Sequence, residues 1–119
     1  GFTLLLPDPW VGGLEVLNAS APGPLTGAGD WVPVPTDGGG AFVVNAGDLI
    51  AVWSNHRWRS AYHRVNNQDL KRRRMSVAFF TGPDDAHVVE PVVREGEPRR
   101  AEAVSAGEHL RRKLQLSNV

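Results

Sequence analysis

Apolar residues in this chain come in short runs, interrupted every few positions by polar or turn-forming residues. Runs rich in Val, Phe and Trp, bounded by Gly, Pro, Asp and Asn, have the pattern of strands joined by turns. The spacing predicts strands at Thr3–Leu6, Gly13–Leu17, Trp31–Val34, Ala41–Asn45, Leu49–Trp53, Ala61–Val65 and Met75–Thr81. Short strands at this spacing fit a sandwich or barrel, so the expected fold class is an all-β core. Thr36-Asp37-Gly38-Gly39-Gly40 tolerates positive φ, and no helix start follows it, so it reads as a hairpin turn and not a phosphate loop. Ser54-Asn55-His56-Arg57, between Trp53 and Trp58, reads as a second turn. Beyond Pro83 the pattern changes to a charged, Pro-containing stretch. There Ser105-Ala106-Gly107-Glu108 matches a capping box, and Leu110 and Leu114 fall on one helical face. They predict a short C-terminal α-helix from about Ala106 to about Gln115, packed on the outside of the core.

Composition narrows the function classes. The 119 residues make one domain or part of one. The chain opens at Gly1 with no initiator Met, and Phe2-Thr3-Leu4-Leu5-Leu6 already reads as strand, so it is expected to be a fragment of a longer protein. Lys plus Arg and Asp plus Glu both number 13, giving no net field to draw in nucleic acid or a membrane surface. Cysteine is absent, so any metal must be held by imidazole and carboxylate, which suits a reducing, cytoplasmic setting. No apolar run approaches the roughly 20 residues of a bilayer span.

The most informative segment is Arg74-Met75-Ser76-Val77-Ala78-Phe79-Phe80. Strand alternation places Arg74, Ser76, Ala78 and Phe80 on one face and Met75, Val77 and Phe79 on the other. Arg74 and Ser76 then point together into an otherwise apolar environment. A buried guanidinium is costly unless an acceptor satisfies it, and a carboxylate matches its forked donors while the Ser hydroxyl adds a further bond. The alternative is that Arg74 closes a solvated basic turn running from Lys71. His63, in Tyr62-His63-Arg64-Val65, lies on the preceding strand, with Asn66 to Arg73 as the connection. If those strands are antiparallel neighbours, His63 and Arg74 could face one cavity, and a small dicarboxylate could bridge a metal at His63 and the guanidinium at Arg74. A lone strand His is otherwise a hydrogen-bonded structural residue.

Other candidates are weaker. His56 falls in a turn, His87 in a loop and His109 on the predicted helix, and each reads as solvated; Asp85-Ala86-His87 reads as surface. The basic run Lys71 to Arg74 lacks interleaved aromatics, so nucleic-acid binding is not expected. No Gly-x-Ser-x-Gly occurs, and hydrolase chemistry has no support.

Taken in order, Gly13-Leu14-Glu15-Val16, Trp31-Val32-Pro33-Val34, Asn45-Ala46-Gly47-Asp48, Trp53-Ser54-Asn55, Ser60, His63-Arg64-Val65 and Arg74-Met75-Ser76 resemble the isopenicillin N synthase-like branch of the 2-oxoglutarate and iron(II)-dependent oxygenases. The resemblance covers about Gly1 to Pro83. It implies a partial double-stranded β-helix, or jelly roll, over residues 1–83, with residues 84–119 as a C-terminal tail carrying the short helix. It further implies iron(II) held by two His and one carboxylate, with His63 as the distal His ligand. Arg74 and Ser76 would bind the remote carboxylate of 2-oxoglutarate, the co-substrate used with O2, and Phe80 could wall the pocket. The implied chemistry is oxidative decarboxylation of 2-oxoglutarate to succinate, coupled to hydroxylation, desaturation or ring closure of a small-molecule substrate. Gly47 would permit a tight turn, with Asp48 and Asn55 bonding backbone amides there.

The sequence departs from the family in one respect. The family's first His and carboxylate come as His-x-Asp just upstream of the strand that Gly1 to Leu6 resembles, and neither His-x-Asp nor His-x-Glu occurs here. The expectation is that both lie before Gly1, that the 119-residue chain alone shows no turnover, and that it leaves sheet edges open. The alternative from another class is a non-catalytic jelly-roll module that binds a carboxylated ligand through Arg74 and Ser76. Oligomeric state and the prime substrate are not legible.

Overall fold

A computed structural model describes residues 1–18, 30–66 and 71–117. The elements run β1 (Phe2–Leu6), β2 (Leu14–Leu17), β3 (Trp31–Pro33), β4 (Val43–Ala46), α1 (Asp48–Trp53), β5 (His63–Val65), β6 (Val77–Phe80), β7 (Val88–Val89), β8 (Val104–Ser105) and α2 (Ala106–Ser117). Strand order is β4-β1-β6 in one three-stranded sheet and β3-β2-β5 in another, with β7 paired to β8. Six of the seven expected strands are present, shifted by a residue or two at their ends, and the C-terminal helix forms as expected. Glu108 N–H points to Ser105 Oγ at 3.5 Å, the cap that the Ser-x-x-Glu pattern predicts. The connection expected at 66–73 falls partly outside the described residues.

Leu49–Trp53 is the exception: it is helical, not a strand. A continuous run of apolar residues carries no periodicity that separates a buried strand from one face of a short helix. The ends decide it. Gly47 O accepts from Ile50 N and Ala51 N, both at 3.1 Å, which starts the first turn, and Asp48 adds favourable charge there. At the other end Asn55 and His56 adopt left-handed φ values of 53° and 60°. Asn55 N bonds Val52 O at 2.9 Å and His56 N bonds Ala51 O at 2.7 Å, the two bonds of a Schellman stop. The turn expected at Ser54 to Arg57 is therefore a helix terminator. Gly47 itself has an ordinary φ of −91°. Its missing side chain matters for close approach: Gly47 N donates to Gly1 O at 2.9 Å, and a Cβ at residue 47 would stand 2.9 Å from that same oxygen.

The described residues group into two compact units. One comprises Gly1–Thr3, Asn45–Ser60 and Phe80–Val119, and the other Leu4–Val44 and Ala61–Phe79. In the first, Ile50, Ala51, Val89, Ala101 and Ala106 form the apolar core. Asn55, fully buried, ties it together: Nδ2 donates to Pro98 O at 2.9 Å, while Oδ1 accepts from Arg100 N at 2.6 Å and Ala101 N at 3.2 Å. One side chain thus satisfies three backbone groups of the tail, which explains how a Pro-containing segment without long strands stays ordered. Arg57 reinforces it, with Nη1 on Glu97 Oε2 at 2.7 Å and on Val92 O at 3.0 Å. Asp48 bonds side chains instead of the expected backbone amides, with His109 Nε2 at 3.2 Å and Lys113 Nζ at 2.8 Å. Burial pushes the Asp48 carboxyl up, but the bonds from Lys113 and Ser60 and the charges of Lys113 and His109 outweigh it and hold the group below its ordinary value. His109 is accordingly a docking contact for α2 and not a solvated residue.

In the second unit Leu14 and Leu17 are buried, while Phe42, Met75, Val77 and Phe79 stay exposed. No helix among the described residues is long and apolar enough to cross a membrane.

Replacing Asn55 with Ala should cost about 2–4 kcal/mol, because three backbone groups lose their partner in a buried setting. Asn55→Gly keeps the left-handed freedom and should lose nearly as much. Chemical denaturation checks both, and a loss below about 0.5 kcal/mol, the scale of an ordinary surface substitution, would contradict this role.

Candidate functional site

The β3-β2-β5 sheet sets the direction of His63. Strand β2 pairs antiparallel with both neighbours, with Val16 opposite His63 and Val32, Glu15 opposite Arg64 and Pro33, Leu14 opposite Val65, and Leu17 opposite Trp31. Alternation then divides the paired residues. Leu14, Val16, Val32, Val65 and His63 share one face, while Glu15, Leu17, Trp31, Pro33 and Arg64 share the other. His63 is the one polar side chain of its face among these paired residues. Its Nδ1 lies 3.1 Å from the carbonyl oxygen of Ala61. A carbonyl only accepts, so Nδ1 carries the proton and Nε2 keeps the lone pair, the tautomer a metal ligand needs.

The opposite face holds a clamp that sequence reasoning passed over. Arg64 Nε donates to Glu15 Oε2 at 2.7 Å, and its guanidinium carbon lies 4.1 Å from the centroid of the Trp31 ring. Glu15 Oε1 accepts from Asn66 Nδ2 at 3.3 Å, so one carboxylate holds β5 at Arg64 and the chain just beyond it at Asn66. The bond from Arg64 is the largest influence on the Glu15 carboxyl and, with Asn66, lowers its pKa against the opposing effect of burial. The strand alternation of Glu15 against Leu14 and Val16 was the available signal.

Arg74 and Ser76 lie just before β6, outside any regular element, and the structure brings them together: Arg74 Nη1 donates to Ser76 Oγ at 3.3 Å. Arg74 is half-buried, and its Nε is cut off from solvent without an acceptor among the described residues. A solvated basic turn would not leave that atom unmet. Asp8 reaches the same segment. Its Oδ1 accepts from Trp10 N at 2.9 Å and Val11 N at 2.8 Å, and its Oδ2 from Met75 N at 3.1 Å. The bond from Trp10 N–H does most to hold the Asp8 carboxyl below its ordinary value, followed by those from Met75 and Val11, with the Arg74 charge adding to them.

The expectation that His63 and Arg74 sit on adjacent antiparallel strands does not hold. Strand β5 pairs with β2, whereas β6 belongs to the other three-stranded sheet. The residues are close in sequence, but a chain that switches sheets between strands is normal in a two-sheet fold. Phe80 ends β6 with its ring exposed. Among the described residues no group of three His, Asp or Glu side chains could hold a metal.

Comparison with known proteins decides the family. The 2OG-Fe(II) oxygenase superfamily matches residues 1–83. This chain belongs to that superfamily. A 2-oxoglutarate-Fe(II) type oxidoreductase, ppzD, from Metarhizium rileyi is 35% identical over 97% of this chain and 33% of its own length. Among solved structures, the rice dioxygenase for auxin oxidation superposes with a TM-score of 0.75 at 36% identity, covering 98% of this chain and 37% of that one. A full-length Neurospora crassa protein in complex with alpha-KG gives 0.74 at 31% identity, over 98% of this chain and 35% of that one. The superfamily member thus has a partial jelly-roll fold with a short C-terminal helix, and it spans about a third of the length of the relatives it matches.

The clamp behind His63 predicts a pH signature. A depressed glutamate contributes stability that is complete above its ordinary value of 4.5 and is lost as pH falls through the lower folded-state value. The thermal midpoint of Glu15→Gln should therefore fall less steeply than that of the parent protein between pH 7 and pH 3. Parallel slopes would show that the Glu15 carboxylate contributes nothing.

Proposed function

We propose that this chain forms part of an oxygenase that couples decarboxylation of 2-oxoglutarate to oxidation of a small organic substrate, with His63 as one iron ligand and Arg74 with Ser76 as the co-substrate anchor. The observation that carries this reading is the Arg74 guanidinium, joined to Ser76 Oγ yet with a desolvated Nε that has no acceptor among the described residues. A donor fork of this kind matches a carboxylate, and the energetic cost of leaving it unmet favours an anionic ligand. Residues 1–83 would form the barrel portion and residues 84–119 the tail, a division supported by the extent of the family match.

Each residue has a distinct task. Arg74 neutralises the remote carboxylate and fixes its direction through the planar fork, while Ser76 donates a further bond from the same side of the chain. His63 presents Nε2 because the Ala61 carbonyl holds the proton on Nδ1. Bound iron(II), completed by ligands from the rest of the protein, supplies the redox chemistry with O2. The rice relative, described as a dioxygenase for auxin oxidation, supports a small organic molecule as the substrate class.

In the full-length protein, succinate formation from 2-oxoglutarate with iron(II) and ascorbate tests this reading. Arg74→Ala should raise KM for 2-oxoglutarate about 10–100-fold, the worth of a charge-assisted hydrogen bond. His63→Ala should abolish turnover. Parent-like succinate formation in both variants would remove the two residues from the mechanism.

A further inference from the structure

Asp8 is outside every motif by which the chain was recognised, yet its carboxylate ends on the backbone between the two residues of the anchor. The loop from Pro7 to Val11 folds around Oδ1, which takes the N–H groups of Trp10 and Val11. That leaves Oδ2 fixed in space, and it accepts from Met75 N at 3.1 Å. The Met75 N–H belongs to the peptide that joins Arg74 to Met75, so holding it sets the plane from which the Arg74 side chain departs. Arg74 and Ser76 stand on either side of Met75 and their side chains converge, Nη1 donating to Oγ at 3.3 Å, so a fixed Met75 N–H limits how far the pair can drift apart. None of the three hydrogen bonds that the Asp8 carboxylate accepts from these N–H groups uses the guanidinium, so this arrangement does not consume the forked donors.

We propose that Asp8 is a positioning residue for the carboxylate anchor, acting through the Met75 N–H to hold Arg74 and Ser76 convergent on the remote carboxylate of the co-substrate. The proposal rests on the reading of Arg74 and Ser76 given above. It makes a prediction opposite in sign to simple electrostatics. A carboxylate near Arg74 repels an incoming anion, so if charge were its whole effect, neutralising Asp8 would tighten 2-oxoglutarate binding. If Asp8 positions the anchor, neutralising it weakens binding. The low pKa direction of Asp8 agrees with a group that stays ionised and accepting across the neutral range.

Calorimetric titration of the full-length protein, loaded with redox-silent Mn(II), separates the two. The ligands are 2-oxoglutarate and 2-oxopentanoate, which keeps the 2-oxo acid end but lacks the remote carboxylate. Asp8→Asn retains one acceptor oxygen for Trp10 and Val11 but offers an amide donor to Met75 N–H. It should weaken 2-oxoglutarate roughly tenfold, the scale of one lost charge-assisted hydrogen bond, and leave 2-oxopentanoate unchanged. Asp8→Glu keeps the charge but moves the carboxylate by one methylene, and should weaken 2-oxoglutarate in the same direction. It also serves if Asp8→Asn folds poorly. Arg74→Ala is the control for the underlying reading and should remove most of the preference for 2-oxoglutarate over 2-oxopentanoate. If Arg74→Ala leaves that preference intact, the anchor reading fails and the proposal falls with it. If Arg74→Ala removes it while both Asp8 variants bind 2-oxoglutarate as the parent does, or more tightly, the anchor stands and the positioning role is overturned.

Discussion

Taking one nitrogen of a guanidinium out of water without giving it an acceptor costs free energy, about 1–3 kcal/mol for an unmet buried donor and more for a charged one. At Arg74 two interactions offset that cost: Nη1 donates to Ser76 Oγ, and the neighbouring Asp8 carboxylate compensates the charge through space. A side chain held in that state suits an anion, since an arriving carboxylate would supply an acceptor where the described residues provide none. Preorganisation of this kind places the ordering cost in folding and not in binding.

The proposed metal ligand follows a different rule. As a ligand His63 would need no buried charge, only one nitrogen free and the ring aimed. The Ala61 carbonyl fixes the tautomer, and the Glu15, Arg64, Asn66 and Trp31 cluster fixes the strand from its opposite face. The two faces of β5 thus divide the labour, with the polar clamp on one and the single imidazole among Leu and Val on the other. A one-residue slip of β5 would exchange them, so the clamp protects the register on which the imidazole's direction depends.

Most of the β framework was legible because short Val-, Phe- and Trp-rich runs between Gly and Pro have few other solutions, and the pairing of Arg74 with Ser76 followed from strand alternation alone. What was hidden has physical reasons. Leu49–Trp53 carries no period, so its helical state depended on the Schellman stop at Asn55 and His56, whose left-handed backbone a sequence does not display. The short β7 and β8 pair is held by tertiary contacts that two-residue strands cannot announce. The roles of Asp8 and Glu15 depend on partners 67 and 49 residues away along the chain. Local pattern carries no trace of such distances. The same limit misplaced His63 and Arg74 on adjacent strands: proximity in sequence suggested pairing, while the chain changes sheets between them. Family resemblance supplied the roles that pattern left open, and the chain spans about a third of the length of the relatives it matches.

The most direct test is a crystal structure of the full-length protein with Mn(II) and 2-oxoglutarate bound. The account predicts the remote carboxylate within about 3 Å of the Arg74 guanidinium and Ser76 Oγ, a hydrogen-bonding distance, and His63 Nε2 on the metal. A co-substrate whose remote carboxylate is held by other residues, with the Arg74 Nε still unpartnered, would contradict it.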